Sequence, residues 1–355
     1  MDDKLASLRD YLLQCYAPEE WPTLLNQAEE WALTRPLEGL RVLDATPLFR
    51  NTLAKFLALM SAGAKVYVPW RSSLPADAEV VAQLADFGIV HATREDKDFD
   101  IVLDCAGDNC RLRPKLGSCE LTRTGVQRYE RAPFPVFMAD AGRIKHIETM
   151  LGTGESLFRA LRHLGYGDVA GRSLVVVGYG KVGRGVVYYA CQLGMRVTVA
   201  DVEDKSGVLP PGVDFVHVDD AAAMAAATLN AWCVVSVTGR MGALRRRLPL
   251  AQLLPSGVLL ASLGVEDEFG PEVPEQRVLN HKRPLNFMLQ EPTSMRFIET
   301  TMALHNACAL ELLTADLPHG YILPPPDVEE RLLRVACERG LIGSDIELAK
   351  ADAAM

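Results

Sequence analysis

The stretch LVVVGYGKVGRG, Leu174–Gly185, decides the fold. Leu174–Val177 is a continuous apolar run, short enough to be a strand buried on both faces. Directly behind it, Gly178, Gly180 and Gly183 spell G-x-G-x-x-G, and a helical pattern starts at Lys181. That spacing gives each glycine a separate task. The first permits a tight turn, the second lets backbone approach a diphosphate, and the third lets the helix pack on the strand. The helix start offers free N–H groups and the positive end of a dipole. The next strand, RVTVAD, ends at Asp201, about twenty residues on. A carboxylate there accepts from both ribose hydroxyls and repels a 2′-phosphate. The segment reads as a dinucleotide cradle selective for NAD, with Gly178, Tyr179, Gly180, Lys181, Val182, Gly183 and Asp201 as its contacts.

Working outward, strands and helices alternate on both sides. FVHVD, the Ala-rich helix Ala221–Ala227, CVVSVT and VLLASLG follow the cradle, and a helix from about Gly154 to Gly165 precedes it. Earlier, RVLDAT (Arg41–Thr46), AKVYVPW and DIVLDC (Asp100–Cys105) read as strands, separated by helices ending at Gly63 and Gly88. Alternation of this kind implies parallel sheets covered on both faces. The expected fold class is α/β, with two doubly wound parallel-sheet, Rossmann-like domains and a cleft between them. The expected division is 1–150 plus 293–325 for a substrate domain, 151–292 for the NAD domain, and 326–355 for a C-terminal helical segment. Two amphipathic helices, Lys4–Cys15 and Pro22–Thr34, open the chain. Arg111–Pro135, rich in Arg, Thr, Pro and Gly, reads as loop.

The 355 residues carry 46 acidic and 37 basic side chains, a net charge of −9, so no basic face for nucleic acid is expected. No apolar run approaches the roughly 20 residues that span a bilayer, and the N-terminus lacks a signal-peptide layout. A cytoplasmic location follows as the expectation. Eight cysteines include no C-x-x-C pair and seven histidines include no H-x-x-x-H, so no metal site is expected.

Beyond the cradle, candidate chemistry lies in ADAGRIKHIETM (Ala139–Met150), read as a loop. Lys145, Glu148 and His146 are the candidate catalytic residues, since hydride transfer needs one group to give or take a proton. Asp44, Arg50 and Asp104 fall at or near strand ends, where open α/β sheets bind ligands, and Glu120 sits beside the Thr-rich segment; these four are the candidate substrate contacts. Their alternative is ordinary solvated or helix-start charge. His305, in an apolar helix, reads as a core histidine.

Several motifs resemble the adenosylhomocysteinase (S-adenosylhomocysteine hydrolase) family. VVVGYGKVGRGVVYYACQLGMRVTVADVE is similar to its NAD segment, LTRTGVQRYE to its Thr-rich stretch, GTGESLFRAL to its Gly-Cys-Arg-Glu-Ser-Leu helix start, and FDIVLDCAGDN to its substrate loop. VVSVTGRMG, LLASLGVEDEFG, RPLNFML and HGYILPPPDVEERLLR resemble its later segments. The resemblance implies further NAD contacts at Thr122, Arg123, Thr124, Thr238, Gly239, Gly264 and Asn286, with Asn286 near the nicotinamide carboxamide. It also implies departures. The family's catalytic lysine and aspartate fall at Ile144 and Glu148, with Lys145 one place off. Its substrate acids fall at Cys105 and Leu121, and its histidines at Asp44, Val265 and Thr293. Its cysteine near the nicotinamide falls at Thr153, and no tyrosine follows Tyr321 in the tail. The cofactor side is kept and the adenosine side is rewritten.

Three readings stay open. One is an NAD-dependent oxidoreductase acting on another small polar metabolite. The second is a true adenosylhomocysteine hydrolase, and the third a non-catalytic NAD-binding regulator or partner subunit. The resemblance implies a homodimer or higher homo-oligomer.

Overall fold

The computed structural model describes residues 3–343. The tail IELAKADAAM lies outside the described residues. Two compact units divide the chain: one holds everything up to Ile147 and from Ser294 onward, the other is Glu148–Thr293.

The first unit opens with α1 (Asp3–Cys15) and α2 (Pro22–Thr34), then alternates β1 (Arg41–Asp44), α3 (Thr52–Ser61), β2 (Lys65–Val68), α4 (Ala78–Gln83), β3 (Val90–His91) and β4 (Ile101–Asp104). It continues through β5 (Gly117–Glu120), the single turn α5 (Arg123–Val126), β6 (Pro135–Met138) and α6 (Arg143–Ile147). The second unit begins in a π turn, Glu148–Gly152, and adds α7 (Thr153–His163), β7 (Ser173–Val177), α8 (Lys181–Gln192), β8 (Arg196–Asp201) and β9 (Asp214–His217). It closes with α9 (Ala221–Leu229), β10 (Cys233–Ser236), α10 (Leu250–Leu253) and β11 (Leu259–Ser262). The chain then returns to the first unit as α11 (Met295–Glu311), β12 (Gly320–Ile322) and α12 (Pro326–Arg339).

Both sheets are parallel. Their orders are β12-β6-β5-β4-β1-β2-β3 and β11-β10-β7-β8-β9. Each reverses direction beside its first strand, at β1/β4 and at β7/β10. Ligands of open α/β sheets sit at such switch points, beyond the carboxyl ends of the strands. In the second unit, Leu174 and Val176 join one apolar cluster while Val175 and Val177 join the other. That alternation is why LVVV has no polar position. Between α7 and α8, a Cβ on Gly154 would overlap the Gly185 backbone, and one on Gly185 would overlap the Met150 carbonyl. The two helices therefore cross backbone to backbone. In the first unit α11 is buried along most of its length, and its Glu299 carboxylate accepts from the Thr23 and Leu24 amides (3.1 Å each) and the Thr23 hydroxyl. It caps α2, whose own Trp21 offers no side-chain cap.

Two expectations need correction. Arg111–Pro135 is not all loop, because it contains β5, an interior strand paired with β4 and β6. GSCE has neither alternation nor a β-branched run, and it is a strand because all four of its residues are buried between neighbours. Ala139–Met150 is also largely helical, with α6 running into the π turn, and Lys145 and His146 are buried.

Among the described residues no helix is long and apolar enough to cross a membrane, and no group of three or more His, Cys, Asp or Glu is placed to hold a metal. None of the eight cysteines forms a disulfide.

Candidate functional site

In the second unit the glycine loop leaves β7 at the switch point. Gly178 has φ +101°, which only glycine adopts readily, and a Cβ there would come within 3.1 Å of the Val237 carbonyl carbon. Gly183 touches the loop itself, since a Cβ would overlap the Gly178 carbonyl oxygen. Gly180 differs from both. It caps α8 in extended geometry (φ −79°), and a Cβ there would meet nothing within 4 Å. The open space lies over the amino end of a 12-residue helix. Lys181 is exposed at the first position of α8, and Val182 packs on the unit's apolar core.

Asp201, at the end of β8, accepts from the Tyr179 amide (2.7 Å) and the Glu203 amide (3.1 Å). It ties the glycine loop to the neighbouring strand end. A cavity of about 470 Å³ opens beside it, lined by Gly178–Gly180, Asp201, Thr238 and Arg240 among others. The structure thus brings together the cradle, the acid and Thr238. Gly239, Gly264 and Asn286 do not line this cavity. Gly264 follows β11, and its amide donates to the Ser262 hydroxyl (3.2 Å). Asn286 lies in a 3₁₀ turn, Leu285–Met288. It is buried, its Nδ2 reaches the Pro292 carbonyl at 3.4 Å, and its Oδ1 has no partner.

Sequence reading missed Glu268. Its carboxylate is fully buried and accepts from the Thr238 amide (2.8 Å), the Thr238 hydroxyl (2.9 Å), the Gly239 amide (2.7 Å) and the Ser236 hydroxyl. Its acidic surroundings, VEDEFG, were the available signal, but these partners lie about 30 residues away in sequence.

In the first unit the candidate acids turn inward. Asp44, at the end of β1, is fully buried against Lys55 of α3, which is equally buried. Burial works against both charges. Asp44 is nevertheless held below the usual carboxylate range by the Lys55 ammonium, while burial pulls Lys55 below its usual range. Asp104 accepts from Tyr129 Oη (2.6 Å), the Asn109 amide (2.9 Å) and Asn109 Nδ2 (3.0 Å), and burial raises its carboxyl. Glu120 accepts from the amides of Ala106 (3.0 Å), Gly107 (3.0 Å) and Thr122 (2.7 Å) and from the Thr122 hydroxyl (2.7 Å). Burial first, then the Asp104 charge, pushes it up to about 7. These three acids shape the strand ends rather than line an open surface.

The Thr122 hydroxyl also accepts from the Ala106 amide (2.9 Å), in the loop after β4, and from the Gly125 amide (3.4 Å) of its own turn. Arg123 is exposed at the start of α5. The side chain of Thr124 lies outside the described residues. Arg50 stacks over Tyr16, 5.8 Å from the ring centre. His305 is a core histidine. Its Nε2 meets the Cys119 carbonyl at 3.0 Å, its Nδ1 has no partner, and burial, helped by the Lys55 charge, lowers it to about 3. Lys145 also lowers it, which places that ammonium within electrostatic reach of the cluster. Glu148 falls across the unit boundary, at the start of the π turn.

No family model matches the chain. It is 28% identical to the adenosylhomocysteinase of Thermotoga maritima over 71% of its own length and 68% of the relative's. It is 29% identical to that of Pyrococcus abyssi over 74% and 69%. It is 30% identical to the S-inosyl-L-homocysteine hydrolase of Methanopyrus kandleri over 53% and 52%. The matches thus span about half to two-thirds of those relatives' length. Among solved structures, a dipicolinate synthase chain from Bacillus halodurans superposes with a TM-score of 0.53 at 15% identity, covering 78% of this chain and 99% of that one. That likeness is one of fold. In sequence, this α/β chain of two parallel-sheet units is similar to the adenosylhomocysteinases.

Proposed function

We propose that the chain binds NAD in the second unit and works as an oxidoreductase on a scaffold related to adenosylhomocysteinase, with a small polar metabolite as substrate. The observation that carries this reading is the open space at Gly180. Free volume over a helix amino end, between a glycine that must turn and a glycine that must touch, suits a diphosphate. Asp201 has lone pairs left for a ribose. The orphaned Asn286 Oδ1 suits the carboxamide of a nicotinamide, since a buried acceptor without a donor costs about 1–3 kcal/mol.

When bound, NAD would supply a hydride acceptor for a carbon bearing a hydroxyl or amine. The chain's own part is to hold the dinucleotide and manage the proton released with it. Lys145 and His146 of α6 and Glu148 of the π turn are the proposed groups, because ammonium, imidazole and carboxylate can all exchange that proton. Thr122, Arg123 and Thr124 are proposed cofactor contacts on the resemblance alone, as is assembly into a homo-oligomer.

The relatives' names favour a second reading, homocysteine-thioether hydrolysis. Against it, the end of β1, where the resemblance implies a histidine, carries the closed Asp44–Lys55 ion pair. One experiment separates the readings. The purified protein is denatured, released nucleotide is identified by mass spectrometry, and the native protein is titrated with NADH. NAD or NADH near one per chain, or saturable NADH binding, supports the proposal. Co-released adenosine together with homocysteine formation would favour the hydrolase. No released nucleotide and no NADH binding would refute the cofactor site.

A further inference from the structure

The loop after β10 (Thr238–Leu244) and the loop after β11 (Gly264–Gly270) are stitched together. Gly242 donates to the Asp267 carbonyl (2.8 Å) and Leu244 to the Glu268 carbonyl (2.9 Å). Lys282 clamps the second loop by donating to Asp267 Oδ2 (2.9 Å) and the Gly270 carbonyl (2.7 Å). Glu268 is the centre of this arrangement. Its two carboxylate oxygens take four hydrogen bonds from Ser236, Thr238 and Gly239, all at or just beyond the carboxyl end of β10. The fit leaves no slack, because a Cβ on Gly264 would overlap Glu268 Oε1. An unpaired buried carboxylate is very costly, so this one persists because the loop amides satisfy it. The same bonds fix the loop, whose Thr238, Arg240, Met241 and Gly242 line the 470 Å³ cavity opposite Asp201. Arg240 is exposed there and forms no ion pair among the described residues.

We propose that Glu268 is a positioning residue for nucleotide binding. Without touching the ligand, it holds the β10 loop as the cavity's second wall and presents the Arg240 guanidinium to the dinucleotide phosphates. This rests on the cofactor reading above. It adds a specific division of labour: Gly178–Gly180 and Asp201 form one wall intrinsically, while the other wall depends on a buried acid from the next strand over.

The test uses the full chain, with NADH as probe. Glu268→Gln keeps the volume but turns an amide donor toward donors. Ser236→Ala removes one donor to Glu268 from a buried position outside the cavity lining, and it is the milder variant should Glu268→Gln fold poorly. NADH affinity, its salt dependence, amide hydrogen exchange and Tm are measured together. The expected result for Glu268→Gln is at least a tenfold rise in Kd, a shallower salt dependence as Arg240 disengages, and faster exchange confined to residues 238–244. Ser236→Ala should shift the same readouts in the same direction, by about threefold in Kd. Wild-type-like affinity and salt slope in both variants, with the wild type binding NADH, would overturn this role and leave the cofactor reading standing. A general fall in Tm with unchanged salt slope would also overturn it, making Glu268 merely structural. Failure of the wild type itself to bind NADH would overturn the cofactor reading, and this role with it.

Discussion

A side chain at position 180 would extend into free volume, whereas one at 183 would strike the Gly178 carbonyl oxygen. Substitutions at these two glycines of one motif should therefore fail in different ways. Gly180→Asn should leave Tm nearly unchanged, because its extended backbone suits any residue and asparagine caps a helix at least as well as glycine. It should weaken NADH binding at least tenfold by filling the diphosphate space. Gly183→Ala should instead lose about 1–3 kcal/mol of stability, since α8 must back away from the strand end. Paired urea denaturation and NADH titration check both; equal stability losses in the two variants would sink the distinction. The glycine roles were legible in sequence because they depend on spacing along one chain segment. The roles of Glu268 and Glu120 were not, because each acid is defined by the distant amides that turn toward it.

At the level of elements, α2 begins with two amides and a hydroxyl that its own preceding residue does not satisfy, and Glu299 of α11 supplies the acceptor. Burial pushes that carboxyl up to about 7, against 4.5 for an ordinary glutamate. The folded chain then holds this proton more tightly than the unfolded chain. The associated stabilisation is fully present below about pH 4.5 and is lost as pH rises through about 7, a change on the order of 3 kcal/mol. Glu120, raised in the same direction, adds to the slope over the same window. Glu299→Gln should flatten the wild-type decline in unfolding free energy between about pH 5 and pH 8 without abolishing it. An identical slope in the variant would refute the assignment. The elements themselves divide by how their register is encoded. RVLD, IVLD, SLVVV and CVVS carry their strand character locally, in apolar runs flanked by turns. GSCE, VH and GYI do not, and become strands because a formed neighbour offers them a ladder edge. Likewise the helix at 143–147 has no long apolar periodicity, and its burial comes from packing against α11 and α12.

Across the whole molecule, the second unit is one uninterrupted segment with apolar clusters on both faces of its sheet. Residues 148–293 expressed alone should therefore fold cooperatively and, on the proposed function, retain NADH binding. Circular dichroism melting with NADH titration tests this, and a non-cooperative melt would show that the unit depends on the remainder. The first unit has no such independence. Its sheet takes β12 from beyond the second unit, and its buried α11 supplies the cap of α2 and packs against α3, β4 and β5. This has a consequence for biosynthesis. A ribosome delivers the first 147 residues long before α11 emerges, and it delivers all of the second unit in between. The later-starting unit can finish folding first, while the earlier one waits with its sheet incomplete and only partly covered. Nascent chains halted near residue 293 should carry a finished nucleotide cradle tethered to an unfinished neighbour, the form most exposed to chaperones and proteases.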